Sequence, residues 1–149
     1  MSEAEILLGQ AAELGVTLHA SQAATLLRYE DLLARRAVPL GAVSRSDATR
    51  IRDRHILDCL RAAPLLHGDD VACDLGSGAG LPGIVVAVAE PLVRVLLVES
   101  RAKRAAFLEF AVQELRLSNA QVVVGRAEEL RLGVDACLAR AFAPLPLAW

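Results

Sequence analysis

The residues able to do chemistry crowd into one stretch, Asp74-Leu75-Gly76-Ser77-Gly78-Ala79-Gly80-Leu81-Pro82-Gly83, with two acidic residues further on, Glu99 and Glu128. The glycines follow an apolar run that reads as a buried strand, and a second apolar run, Ile84 to Ala89, follows them. Glycine has no Cβ and tolerates positive φ, so a ligand can lie against bare main chain. Amides at the start of the next helix would point at whatever binds there. The stretch reads as a turn that cradles a nucleotide.

Two kinds of nucleotide compete for it. Gly78 to Gly83 satisfies Gly-x-Gly-x-x-Gly, and Glu99 stands about 20 residues on, the arrangement of a dinucleotide fingerprint. Against that, Asp74 sets a carboxylate just before the first glycine, awkward beside a pyrophosphate. The register Asp74, Gly76, Gly78, Gly80 instead matches the loop used for S-adenosylmethionine, which carries no phosphate. A carboxylate can help hold that molecule's ammonium group, directly or through water. Glu99, at the carboxyl end of a strand, is placed to accept from both ribose hydroxyls. Ala127 and Glu128 follow a third strand and are placed to meet adenine, with a backbone amide and an acceptor. The plainer alternatives are an ion pair of Glu99 with Arg101 or Lys103, and a solvated carboxylate at Glu128.

Positioning these groups takes an α/β scaffold. From Val71 onward strands and helices alternate: Val71–Leu75, helix Leu81–Glu90, Val93–Val98, a Ser100-capped helix Arg101–Arg116, Gln121–Val124 and Val134–Ala139. That alternation is the signature of a parallel sheet. The preceding residues read as helical. Ser2 and Glu5 form a capping box for a helix that Gly15 stops. Ser21 caps a second, which fades before a Pro39-Leu40-Gly41 loop, and Asp47 caps a third that Pro64 and Gly68 close. The expected division is an N-terminal helical extension over 1–68 and a cofactor-binding α/β core over 69–149, in one compact unit. Strand four is an apparent edge followed by Leu145-Pro146-Leu147-Ala148-Trp149. A buried-type strand is rarely left so. A shortened version of a longer fold is one explanation, and a homodimer covering that edge is the other.

Composition narrows the function further. The chain has 149 residues, is 54% apolar and only 3% aromatic, so Leu, Val and Ala build its interior. A net charge of −2 argues against holding nucleic acid by bulk charge alone. Locally, residues 28–61 hold eight arginines against five acidic residues, which makes Arg35, Arg36, Arg45 and Arg50 candidates for RNA contact. Otherwise they are a solvated face with internal pairs. Cys59, Cys73 and Cys137 are widely spaced, without a CxxC, and read as core residues in a reducing compartment, with no metal site. No signal peptide or membrane-length apolar run is seen, so the expectation is a soluble, cytoplasmic protein.

The strings Asp74 to Gly83, Gly125-Arg-Ala-Glu-Glu129 and Arg140-Ala-Phe-Ala-Pro144 resemble the glucose-inhibited division protein B family, and Arg54-His55-Ile-Leu-Asp58 is similar to its Arg-His-Phe-Leu-Asp. Members of that family are bacterial methyltransferases acting on guanine N7 of small-subunit (16S) ribosomal RNA. The resemblance runs from about Leu26 to Pro146. It implies cofactor contacts at Gly76, Leu81, Ala127, Glu128 and Arg140, with Glu99 in the usual acidic place. Arg140, after strand four, would hold the methionine carboxylate or an RNA phosphate, unless it pairs with Asp135. The chain departs from the family where a Trp-Asn-x-x-x-Asn-Leu-Thr string is replaced by Arg36 to Val43.

Taken together, the sequence implies a class I, Rossmann-like α/β methyltransferase, truncated after its fourth strand, that uses S-adenosylmethionine. The cofactor-binding candidates are Asp74, Gly76, Ser77, Gly78, Gly80, Leu81, Glu99, Ala127, Glu128 and Arg140. The expected partner is small-subunit ribosomal RNA or the 30S particle, with no membrane. No catalytic residue is assigned, because guanine N7 offers a lone pair without a proton to remove; Arg140 and His55 are candidates for positioning only. A helix-borne histidine such as His55 otherwise reads as a satisfied packing residue. A non-catalytic cofactor-binding relative and a nicotinamide-linked oxidoreductase are the alternatives.

Overall fold

The computed structural model describes residues 1–131 and 133–140. The strings Ala141 to Pro144 and Leu145 to Trp149 lie outside the described residues. Four strands, β1 (Val71–Leu75), β2 (Arg94–Glu99), β3 (Ala120–Val124) and β4 (Ala136–Ala139), form one parallel sheet in the order β3-β2-β1-β4. The chain thus runs outward on one side of β1 and returns to its other side. That reversal leaves a crevice at the carboxyl ends of the strands, the place where open α/β sheets bind ligands. Asp74 lies opposite Leu97 on one side and Leu138 on the other.

Helices α5 (Gly83–Ala89) and α6 (Ala102–Glu114) make the crossovers. Every residue of α5 is buried, as its unbroken apolar sequence requires. Ahead of the sheet lie α1 (Glu3–Glu13), α2 (Ala20–Leu32), α3 (Val38–Leu40) and α4 (Leu57–Leu60). Leu7, Leu26, Tyr29 and Leu33 from these helices share one buried cluster with Ile84, Val85 and Leu97. Gln22 ties the layers further, its Nε2 donating to the Val88 and Ala89 carbonyls at 3.0 and 3.2 Å.

Several element boundaries differ from the sequence reading, each for a local reason. The Ser2–Glu5 capping box forms as expected. Helix α2 starts two residues earlier than expected, capped at His19 and not Ser21, with the Gln22 side chain accepting from the His19 amide at 2.6 Å. It does not fade before Pro39. A π turn, Leu33–Ala37, leads straight into α3, which holds Pro39 in its first turn and ends at Gly41 with φ +79°. Proline lacks an N–H to donate, and the first turn of a helix needs none there. Asp47 caps no helix: it lies in a 3-10 turn, Arg45–Asp47, and a second π turn, Arg52–Ile56, precedes α4. Ser100 is not the cap of α6 either; Arg101 is, with its amide donating to Glu99 Oε2 at 2.9 Å. Cys59 and Cys73 are buried but Cys137 is exposed, since β4 is an edge and alternate residues of it are uncovered among the described residues. No helix among the described residues is long and apolar enough to cross a membrane.

Candidate cofactor cleft

The loop after β1 rises through three left-handed glycines, Gly76, Gly78 and Gly80, with φ of +63°, +58° and +93°. It is fastened from below. Asp74 is fully buried, and its Oδ2 accepts from the Ser77 hydroxyl at 2.7 Å and the Gly83 amide at 2.9 Å. The Gly78 amide donates to Glu99 Oε1 at 2.8 Å. The Ser77 amide donates to the Val98 carbonyl at 2.8 Å, and the Gly80 amide to the Ser77 carbonyl at 2.7 Å. These four amides of the loop are therefore taken up inside the protein, two of them by carboxylates. A phosphate cradle needs such amides free and a positive local field. This loop offers a ligand Cα surface and carbonyl oxygens, over two acidic side chains.

Asp74 is the carboxylate expected to help hold the ligand's ammonium, directly or through water. It sits beneath the loop, and its second oxygen, Oδ1, is buried with no hydrogen-bond partner. Burial pushes its carboxyl up to about 6, though the Ser77 and Gly83 donors pull the other way. Gly80 also faces inward: a Cβ there would lie 2.5 Å from Ile84 Cδ1 and 3.0 Å from the Tyr29 hydroxyl. That hydroxyl donates to the Ala79 carbonyl at 2.6 Å, so α2 pins the loop from its far side. In the sequence Tyr29 shares a helical stripe with the apolar Leu26 and Leu33, and its one polar atom is the signal that such a buried stripe needs a hydrogen-bond partner.

Two clefts open on the loop, and Gly76 lines both. The first, about 180 Å³, is bounded by Val98, Ser100, Gly125, Arg126, Ala127 and Glu128. Ala127 and Glu128 stand there as expected, on a 3-10 turn, with the Glu128 side chain 63% exposed and 3.8 Å from Arg126. The second, about 300 Å³, is bounded by Ser77, Gly78, Ala79, Leu81, Ala42, Val43, His55, Arg104 and Arg140. Glu99 is buried between its lining neighbours Val98 and Ser100, and its carboxylate takes the Arg101 backbone amide. Each of its oxygens keeps a lone pair for a further donor.

Arg140 and His55 do meet, across 85 positions of sequence. Arg140 Nη1 lies 2.9 Å from His55 Nδ1, and His55 Nε2 lies 3.2 Å from Asp47 Oδ2. Asp47 can only accept, so the ring is the Nε2–H tautomer and its Nδ1 lone pair receives the guanidinium. Burial and the Arg140 charge, in that order, depress the His55 pKa, while Asp47 opposes them. Arg140 Nη2 further donates to the Arg54 carbonyl at 2.8 Å and lies 3.4 Å from Asp58. Its partner is therefore not Asp135, which accepts the Val71 amide instead. Likewise Arg101 meets Glu99 through its main chain, so the alternative of a side-chain ion pair there does not arise.

The four arginines proposed for RNA are dispersed. Arg35 pairs with Asp31 at 2.9 Å and Arg50 approaches Asp47 at 4.0 Å. Arg36 lies over the Phe110 ring, 4.0 Å from its centroid, and Arg45 opens the 3-10 turn.

"Ribosomal RNA small subunit methyltransferase G" of Acidothermus cellulolyticus is 40% identical over 121 residues, covering 81% of this chain and 54% of the relative. The proteins of that name from Salinispora tropica and Mycolicibacterium paratuberculosis are each 43% identical, covering 87% and 93% of this chain and 57% of themselves. The chain spans about half the length of the curated relatives it matches. Among solved structures, a precorrin-6y C5,15-methyltransferase from Geobacter metallireducens aligns over 56% of this chain and 46% of its own, with a TM-score of 0.49 and 17% identity. Residues 22–147 match the family described as GidB, rRNA small subunit methyltransferase G, and the chain belongs to that family.

Proposed function

We propose that this chain is an S-adenosylmethionine-dependent methyltransferase acting on guanine N7 of small-subunit ribosomal RNA. The observation that carries the cofactor half is the state of the loop amides. With those of Ser77, Gly78, Gly80 and Gly83 engaged internally, two by carboxylates, four donors are withdrawn from a diphosphate, whereas a cationic nucleoside needs none of them. The same observation disfavours the nicotinamide alternative. In this reading Ala127 and Glu128 receive adenine and Glu99 the ribose hydroxyls. Gly76, Ser77, Gly78 and Leu81 wall the methionine portion, and Asp74 and Gly80 shape the loop from beneath.

S-adenosylmethionine supplies a methyl group on a sulfonium, ready for in-line attack. Guanine N7 presents its lone pair in the plane of the ring, so no side chain has to take a proton. The chain's own work is alignment and exclusion of water. Arg140, held by His55, lines the cleft, where its guanidinium would meet a carboxylate or a phosphate. The arginines at 35, 36, 45 and 50 form the RNA side, and the protein works in the cytoplasm, on free RNA or on the 30S particle. A homodimer through the β4 edge is part of the same proposal.

The test has two stages. Calorimetry with S-adenosylhomocysteine is expected to give one site, and NADH no heat; the reverse would end the reading. Incubation with methyl-labelled S-adenosylmethionine and either deproteinised 16S RNA or 30S particles should then label 7-methylguanine. Binding without transfer on either substrate identifies the non-catalytic relative instead.

A further inference from the structure

On the far side of Leu40 and Gly41 from the cofactor cleft lies a third cleft, about 460 Å³, lined by Arg36, Pro39, Leu40, Lys103, Phe107 and Phe110, with Ala106. Its floor is apolar and none of its lining residues is acidic. Arg36 comes from the π turn after α2, and its guanidinium carbon lies over the Phe110 ring, 4.0 Å from the centroid. π turns of this kind recur at functional positions because they re-aim one side chain. Lys103, the chain's one lysine, supplies a mobile point charge at the same cleft.

The two clefts are lined by neighbouring positions, Leu40 and Lys103 in this one, Ala42 and Arg104 in the cofactor cleft, and Arg104 donates to the Gly41 carbonyl at 3.3 Å. A planar cation backed by an aromatic ring, an apolar floor and a flanking ammonium match one chemistry well. A nucleobase stacks on the outer face of a guanidinium plane, while its phosphate meets lysine. A duplex cannot present a single base in this way.

We propose that this cleft is a stacking subsite for one unpaired base of single-stranded RNA, next to the base that enters the cofactor cleft. It rests on the reading that the chain acts on RNA, but its test does not require transfer. The probe is a fluorescein-labelled oligouridylate of 12 nucleotides, about enough to span both clefts, titrated onto the full chain as a single strand and as a duplex with its complement. Arg36→Lys keeps the charge and removes the plane, and is expected to weaken single-strand binding about tenfold with an unchanged salt slope. Phe110→Leu should do the same. Lys103→Ala should lower the salt slope by about 0.7. Arg94→Ala, exposed at the opposite end of the sheet, should leave binding as it was.

Wild-type affinity in Arg36→Lys, or equal affinity for the duplex, overturns the subsite. So does a chain that dimerises until Arg36→Lys makes it monomeric while its oligonucleotide affinity stays unchanged, because the cleft would then be a self-contact. S-adenosylhomocysteine calorimetry on the same variants separates this from failure of the methyltransferase reading. Retained cofactor binding with lost RNA binding supports the subsite, and loss of both in Arg36→Lys overturns it.

Discussion

The Tyr29 hydroxyl donates to the Ala79 carbonyl at 2.6 Å in a fully buried setting, joining the second helix to the middle of the glycine loop. No other side chain of the helical segment bonds to that loop among the described residues. Removing the hydroxyl leaves a buried carbonyl unpaired at the point where the loop must hold its shape. Tyr29→Phe is expected to cost about 1–3 kcal/mol in urea unfolding. It should also weaken S-adenosylhomocysteine by several fold in calorimetry. A variant as stable as wild type would show the bond to be incidental.

Asp74 links the loop to pH. Its carboxyl stands at about 6 in the folded chain against an ordinary 3.8, so the folded state keeps a proton the unfolded state has lost. The stability this contributes is full below pH 3.8 and disappears as pH rises through about 6. Over that window it amounts to about 3 kcal/mol. Asp74→Asn cannot titrate, and its profile of urea midpoint between those limits should be flatter by that amount. Parallel profiles for the two proteins would contradict a buried, proton-binding Asp74.

Two glycines should respond in opposite ways to alanine. At Gly83 a Cβ would lie 2.5 Å from Asp74 Oδ2 and 2.9 Å from Asp74 Cβ, in the fastening beneath the loop. Gly83→Ala should lose about 1–3 kcal/mol, and cofactor affinity with it. Gly9, inside α1, has nothing within 4 Å of the same position. Gly9→Ala should therefore stabilise by about 0.5–1 kcal/mol. Thermal melts of the pair decide it.

His55 reports on Arg140. Its depressed pKa means that its contribution to stability is present above pH 6.5 and is lost as pH falls through the lower, folded value. Histidine NMR titration should place His55 below the ordinary value in the wild type. Arg140→Met, which removes a cation facing Nδ1, should raise it, and Asp47→Asn, which removes the opposing carboxylate, should lower it further. If Arg140→Met leaves the titration where it was, the imidazole–guanidinium contact does not form in solution.

The one-dimensional pattern was enough for the alternating strands, the parallel sheet, the glycine loop and the acidic strand end at Glu99, because buried parallel strands and left-handed turns each demand particular residue types wherever they occur. It also set Ala127 and Glu128 after the third strand, and the fold lines one cleft with them and Gly76. Helix starts were less legible at His19, Asp47 and Arg101, since each depends on which nearby acceptor reaches the free amides, and Gln22 and Glu99 outcompeted the hydroxyls of Ser21 and Ser100.

What only the tertiary structure decided is where the polar groups turn. Asp74 sits at the right spacing to meet a ligand, yet the loop curls the Gly83 amide and the Ser77 hydroxyl back onto it and buries it. Arg140 follows β4, but its fork meets His55, 85 positions upstream in a π turn. Spacing determines the element a residue belongs to. Its donors and acceptors are assigned only when distant elements pack, because a buried polar atom takes whichever partner the packing brings within 3 Å or so.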